Sequence, residues 1–205
     1  DCYATVQNAG FYDEKDSGVN ITNKSIVLGS TNALGTGSVT SSGGTLGVSS
    51  GVTLPRLTIN GPVTLSSDIT TSGPQIYNGT VSLGRTLTLD AGVSNVTFND
   101  SVGHVGISYA NYVAQHGSNN VYNLTVLADT VNINADITTY GTQTYGANGA
   151  LTKVVIGNNG TNGTTRILIS EDPAITVWGT VNDSVVNAHD LVLKSVAYST
   201  NENPT

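Results

Sequence analysis

The sequence predicts an all-β fold, a right-handed parallel β-helix (β-solenoid) with short strands and Gly/Asn-rich turns, and three observations carry that expectation. Helical periodicity is almost absent, and a short apolar-x-apolar pattern recurs in its place along most of the 205 residues. Each marked strand spans only about three to five residues before Gly, Asn, Asp or Ser intervenes. A long stretch of the chain also repeats internally.

The composition agrees. Charged residues make up 10 % of the chain, against about a quarter in ordinary soluble domains. Disordered chains tend to be charge-rich and poor in β-branched residues, whereas Val, Ile and Thr are abundant here. The net charge of −7 and the seven scattered Lys and Arg residues argue against nucleic acid, whose phosphates need clustered cations. They argue equally against docking on an anionic membrane. No apolar run approaches the roughly 20 residues of a bilayer span, so no membrane insertion of this segment is expected. Asp1-Cys2-Tyr3 lacks a basic start and an apolar stretch, so for a secreted protein the signal is expected upstream of this stretch. Cys2 is the only cysteine, which leaves a free thiol or a pairing outside this stretch.

Taken in order, residues 1–25 carry Asp1, Asp13, Glu14, Lys15 and Asp16 and lack clean alternation. They read as an irregular amino-terminal connection or edge cover. Residues 26–205 read as one continuous solenoid. Its strands begin with Leu46-x-Val48, Val52-x-Leu54, Leu57-x-Ile59 and Val63-x-Leu65, and continue through Val81-x-Leu83, Leu87-x-Leu89 and Val96-x-Phe98. The second half adds Leu124-x-Val126, Val131-x-Ile133, Val154-x-Ile156, Ile167-x-Ile169, Ile175-x-Val177 and Leu191-x-Leu193. The first pairs start about six residues apart, so three strands close a turn of roughly 18–20 residues, the size of one solenoid coil. A sandwich calls for turn signals about every 8–12 residues, a spacing that only the looser second half allows.

The repeat decides between the two. Residues 63–77, Val-Thr-Leu-Ser-Ser-Asp-Ile-Thr-Thr-Ser-Gly-Pro-Gln-Ile-Tyr, return 68 positions later as Val-Asn-Ile-Asn-Ala-Asp-Ile-Thr-Thr-Tyr-Gly-Thr-Gln-Thr-Tyr at 131–145. Asp68/Asp136, Gly73/Gly141, Gln75/Gln143 and Tyr77/Tyr145 match, within copies that extend over about 57–84 and 124–151. Val96-Thr-Phe and Ile175-Thr-Val are a weaker echo. Stacked units of this kind bury a shared core only by touching their neighbours, and Asn or Thr at equivalent coil positions can form ladders along the axis.

Asp68-Ile-Thr-Thr-Ser-Gly-Pro-Gln-Ile-Tyr-Asn-Gly-Thr-Val-Ser-Leu-Gly84 and its second copy resemble the repeats of filamentous-haemagglutinin-type adhesins, as does Val96-Thr-Phe-Asn-Asp-Ser-Val-Gly103. The stretch from Val27 to Leu46 is similar to the passenger-associated repeat of autotransporters. The resemblance implies a long fibre on the bacterial cell surface, exported through an outer-membrane barrel by type V or two-partner secretion. Neither the secretion domain of two-partner adhesins nor a carboxy-terminal barrel is present in these residues, so a middle stretch is expected.

Candidate sites are few. His104, His116 and His189 show no metal-ligand spacing, and no metal or cofactor is expected. His189 and Asp190 are adjacent, which puts them on opposite faces of a strand; a surface turn is the expectation for all three histidines. Asp68 and Asp136 read as turn or cap residues. Asp13, Glu14, Asp16, Asp100, Glu171 and Asp172 are the remaining acids weighed as a carboxylate pair for sugar hydrolysis. Asn-x-Ser/Thr sequons include Asn78, Asn95 and Asn123 as candidate glycosylation positions. Residues 105–120 break the repeat and are the candidate binding loop, with Tyr109, Tyr112 and His116 as its contact residues. Trp178 offers a sugar-stacking surface or packs on the solenoid wall.

The expected function is an extracellular structural or adhesive rod segment that presents loops to host cells, other cells or surfaces. Its expected partners are a glycan or protein ligand and neighbouring repeats or copies stacked end to end. No enzymatic activity is expected. The alternative is a carbohydrate-active β-helix enzyme, a polysaccharide lyase or glycosidase of the tailspike kind.

Overall fold

The computed structural model describes residues 3–6, 19–21, 24–35, 37–103, 122–157, 165–170, 174–184 and 189–195. Among them there is no helix; the strands form three parallel sheets, so the chain is a parallel β-helix. Sheet A runs from Tyr3–Val6, Ser25–Leu28 and Gly44–Val48 through Val63–Leu65, Val81–Leu83 and Val102–Gly103. It ends with Ile137–Thr139, Thr165–Ser170 and Asp190–Ser195. Sheet B starts at Val19–Ile21 and Val39–Ser41, and continues with Leu57–Asn60, Gln75–Tyr77 and Asn95–Phe98. Thr130–Ile133, Thr152–Ile156 and Gly179–Asp183 complete it. Sheet C is shorter: Thr53–Leu54, Ile69–Thr71, Leu87–Asp90, Leu124–Leu127, Gln143–Tyr145 and Ile175–Val177. Residues 3–6 and 19–21, inside the stretch read as a connection or edge cover, are thus the first strands of sheets A and B.

From Gly44 onward the chain visits the sheets in the order A, C, B, and each circuit is one coil. Val63 pairs with Val81, 18 residues on, and Val81 with Val102, 21 residues on. Period-two alternation then gives every strand an inward and an outward side. Inward residues stack in columns: Val39, Ile59, Tyr77, Phe98, Ile133 and Ile156 are register partners in sheet B, and none is more than 3 % exposed. Within that column the rings of Tyr77 and Phe98 stack with centroids 5.4 Å apart. Coils lie about 4.8 Å apart, so each apolar rung covers the next and the interior closes.

The two repeat copies do not lie on the same faces. Val63 belongs to sheet A and its equivalent Val131 to sheet B; Ile69 lies in C and Ile137 in A; Gln75 lies in B and Gln143 in C. The echo from Val96 in B to Ile175 in C makes the same shift. The second copy is rotated by one face around the axis. The strand-and-turn unit therefore specifies its own corner geometry and fits any of the three walls, because the inward stack asks only for alternation and size.

Turns are tight where coils touch backbone to backbone. A Cβ added at Gly79 would stand 2.2 Å from the carbonyl carbon of Gly61 in the coil before. Only paired glycines allow that approach at the corner between sheets B and A.

Candidate functional site

The repeated motif builds a polar clip inside the wall. Gln75 is fully buried; its Nε2 donates to the carbonyl of Asp90 at 2.9 Å and to Thr71 Oγ1 at 3.2 Å. The Tyr77 hydroxyl donates to Gln75 Oε1 at 2.8 Å. In the second copy Gln143 Nε2 donates to the Ile169 carbonyl at 2.7 Å and to Thr139 Oγ1, and Tyr145 donates to Gln143 Oε1 at 2.9 Å. Burial pushes both phenols well above their ordinary range. Asp68 and Asp136 are caps: their Oδ1 atoms accept the backbone N–H of Thr88 and Ile167 in the next coil. Asp68, Thr71, Gln75 and Tyr77, and their counterparts in the second copy, thus each hold a hydrogen bond of the wall.

Outside, sheet B carries an amide ladder. Asn78 Nδ2 donates to Asn60 Oδ1, Asn99 to Asn78 and Asn134 to Asn99, at 2.8, 2.7 and 2.7 Å. Asn78 is therefore exposed but engaged on both sides. Asn123 is half-buried, with Oδ1 accepting from the Thr142 N–H at 2.9 Å. Asn95 is exposed, and its amide makes no side-chain hydrogen bond among the described residues. Of the three candidate glycosylation positions, it has the least engaged side chain.

The corner between sheets C and B differs from the rest of the surface. Val93, Leu151 and Trp178 all lie there, 93 %, 88 % and 39 % exposed. Their backbone is fixed. Asp90 Oδ1 accepts the Gly92 N–H, and the Ser94 N–H bonds the Ala91 carbonyl, closing the turn that carries Val93. The Ala150 N–H bonds the Ala147 carbonyl just before Leu151. Trp178 donates its N–H to Tyr145 and accepts from Thr152. Just beyond this corner, Asn95, Thr130, Lys153 and Thr180 are register partners, one per coil, on the outward side of sheet B.

Tyr109, Tyr112 and His116 lie outside the described residues, as do His104, Glu171 and Asp172. His189 is not a surface turn residue: its side chain is 2 % exposed. Nδ1 meets Asp183 Oδ1 at 2.5 Å, the backbone N–H donates to Asp183 Oδ2, and the buried Nε2 has no partner among the described residues. The partner is six residues upstream rather than the adjacent Asp190, a pairing that strand parity does not reveal. Among the described residues no three His, Cys, Asp or Glu side chains group as a metal site.

Comparison of the chain with protein-family models, with curated proteins and with solved structures finds no match.

Proposed function

We propose that this chain is an extracellular rod segment of a large bacterial surface protein, a structural and adhesive module that carries binding loops on a β-helix. One observation carries the reading. Val102 pairs with Ile137, 35 residues on, yet Leu87 still meets Leu124 and Asn95 still meets Thr130 strand on strand. A circuit of 35 residues, after circuits of 18 and 21, keeps the same strand-on-strand register, which is how a scaffold takes up extra chain without altering its stack. The residues between these strands that lie outside the described ones include Tyr109, Tyr112 and His116, the expected contact residues.

The resemblance of the repeats to filamentous-haemagglutinin-type adhesins and autotransporter passengers supports export to the cell surface. The scarcity of charge supports recognition by polar and apolar contacts rather than by ion pairs. Continuation of the stack by a further coil or copy belongs to the same reading.

The test is binding of the purified chain to immobilised cell surfaces and matrix glycans, followed by assay of the same polysaccharides for cleavage. Saturable binding without new reducing ends or unsaturated products is expected. Turnover of any polysaccharide would replace this reading with a sugar-active enzyme.

A further inference from the structure

The exposed large apolar side chains fall at two places. Five large hydrophobics stand exposed among the described residues: Val181 and Leu193 on the last coil, and Val93, Leu151 and Trp178 on the corner between sheets C and B. Hydrogen-bonded turns hold Val93 and Leu151 outward, where an apolar side chain would otherwise fold back on the wall. They belong to the third and fifth coils of sheet C, and Trp178 to the sixth. Beside them runs the polar column Asn95, Thr130, Lys153 and Thr180.

We infer that this corner binds a neutral, extended glycan chain lying along the solenoid axis. The inference rests on the adhesive reading and names its ligand class. Spacing selects the ligand. Successive rungs are about 4.8 Å apart, and a 1,4-diequatorially linked pyranose chain advances by close to one rung per ring. Its rim hydroxyls then meet Asn95, Thr130, Lys153 and Thr180 in turn. An extended peptide presents same-face side chains every ~6.7 Å and falls out of step within two rungs. The chemistry agrees: a pyranose has a C–H face for Trp178 and Leu151 and hydroxyls for the amide, ammonium and hydroxyl groups alongside. Charge selects further, since Lys153 is the single cation of the column and an anionic glycan would ask for more.

Trp178 is the only tryptophan of the chain, so intrinsic emission reads this corner directly. Titration of the intact chain with cellohexaose is expected to give a saturable blue shift. Maltohexaose, whose axial linkage coils the chain, is expected to give none. Leu151→Ser should weaken cellohexaose by about tenfold, the loss of one apolar contact. Its melting temperature should stay unchanged, because the side chain is 88 % exposed. An unmoved spectrum, an equal response to maltohexaose or indifference to Leu151→Ser would each overturn the inference. If the chain still binds cell surfaces while cellohexaose neither shifts its emission nor competes, the adhesive reading stands and the glycan corner falls. If it binds no surface and no sugar, both fall.

Discussion

Gln75 shows how a polar residue holds a place in a dry stack. Its amide satisfies Thr71 and a carbonyl of the next coil, and its oxygen accepts from Tyr77, so no buried group is orphaned. Gln75→Leu should cost about 2 kcal/mol by stranding the Asp90 carbonyl and the Tyr77 hydroxyl. Tyr77→Phe should cost about 1–2 kcal/mol, and the double variant less than their sum, because both remove one network. Denaturant titration of the three variants checks this; strict additivity would show two independent contacts. The phenols also set an alkaline limit. Both Tyr77 and Tyr145 have their ionisation raised by burial, so below the ordinary value of about 10 folded and unfolded chains hold the same protons. Above it the unfolded chain loses protons that the folded one keeps, and stability falls as pH rises. Melting temperatures between neutral pH and strong alkali should decline from there, and less steeply for Tyr77→Phe. Alternation in the sequence marked inward positions such as Leu65 and Ile133, both fully buried, but it misplaced Ile167-x-Ile169, a strand that turns Leu168 and Ser170 inward instead. It passed over Gln75 and Gln143, whose partners come from other strands. The one signal was their identity at inward parity in both repeat copies.

At the scale of the strand, register is held by outward ladders as well as by the core. The asparagine row runs one way, each Nδ2 donating toward the preceding coil. It stops at Gly157, where an added Cβ would stand 2.7 Å from Asn134 Oδ1 and 3.2 Å from Ser184 Oγ. Both are side-chain ends that can rotate aside. Gly157→Asn is expected to extend the row by one donor to Asn134 and to restrict the unfolded chain, a gain of about 0.5–1 kcal/mol. Asn99→Ala, which cuts the row in the middle, should lose about 1 kcal/mol. Thermal melts read both, and a lower midpoint for Gly157→Asn would mean that Asn134 cannot yield. Coil length and ladders were legible in sequence because Leu46 to Val63 space their strands evenly. The rotation of the second repeat was not. Sequence offset counts residues, whereas the wall on which a strand lies depends on how many residues each corner takes up, and the long circuit between Val102 and Ile137 hides that number.

Across the whole molecule the two ends of the stack differ. Toward the amino-terminal end Ile21, on the first strand of sheet B, and Leu28, on the second of sheet A, are 1 % and 0 % exposed. At the other end Ile175–Val177, Gly179–Asp183 and Asp190–Ser195 are the last strands of sheets C, B and A, and all three edges fall in one coil. The inward columns surface there. Val181 continues the column of Val154 and Leu193 that of Leu168; both predecessors are 1 % exposed, whereas Val181 and Leu193 are 44 % and 52 % exposed. Among the described residues no further strand pairs with these edges, and strand edges beside continuing apolar columns are a template for another set of strands. The isolated chain is therefore expected to associate through this coil as its concentration rises. Val181→Lys with Leu193→Lys places like charges on both columns and should leave a monomer, with little change in melting temperature because each side chain is already half in water. Light scattering over a concentration series distinguishes the outcomes. A wild-type chain that stays monomeric throughout, or a double variant that associates as strongly as wild type, would show that this coil does not continue the stack.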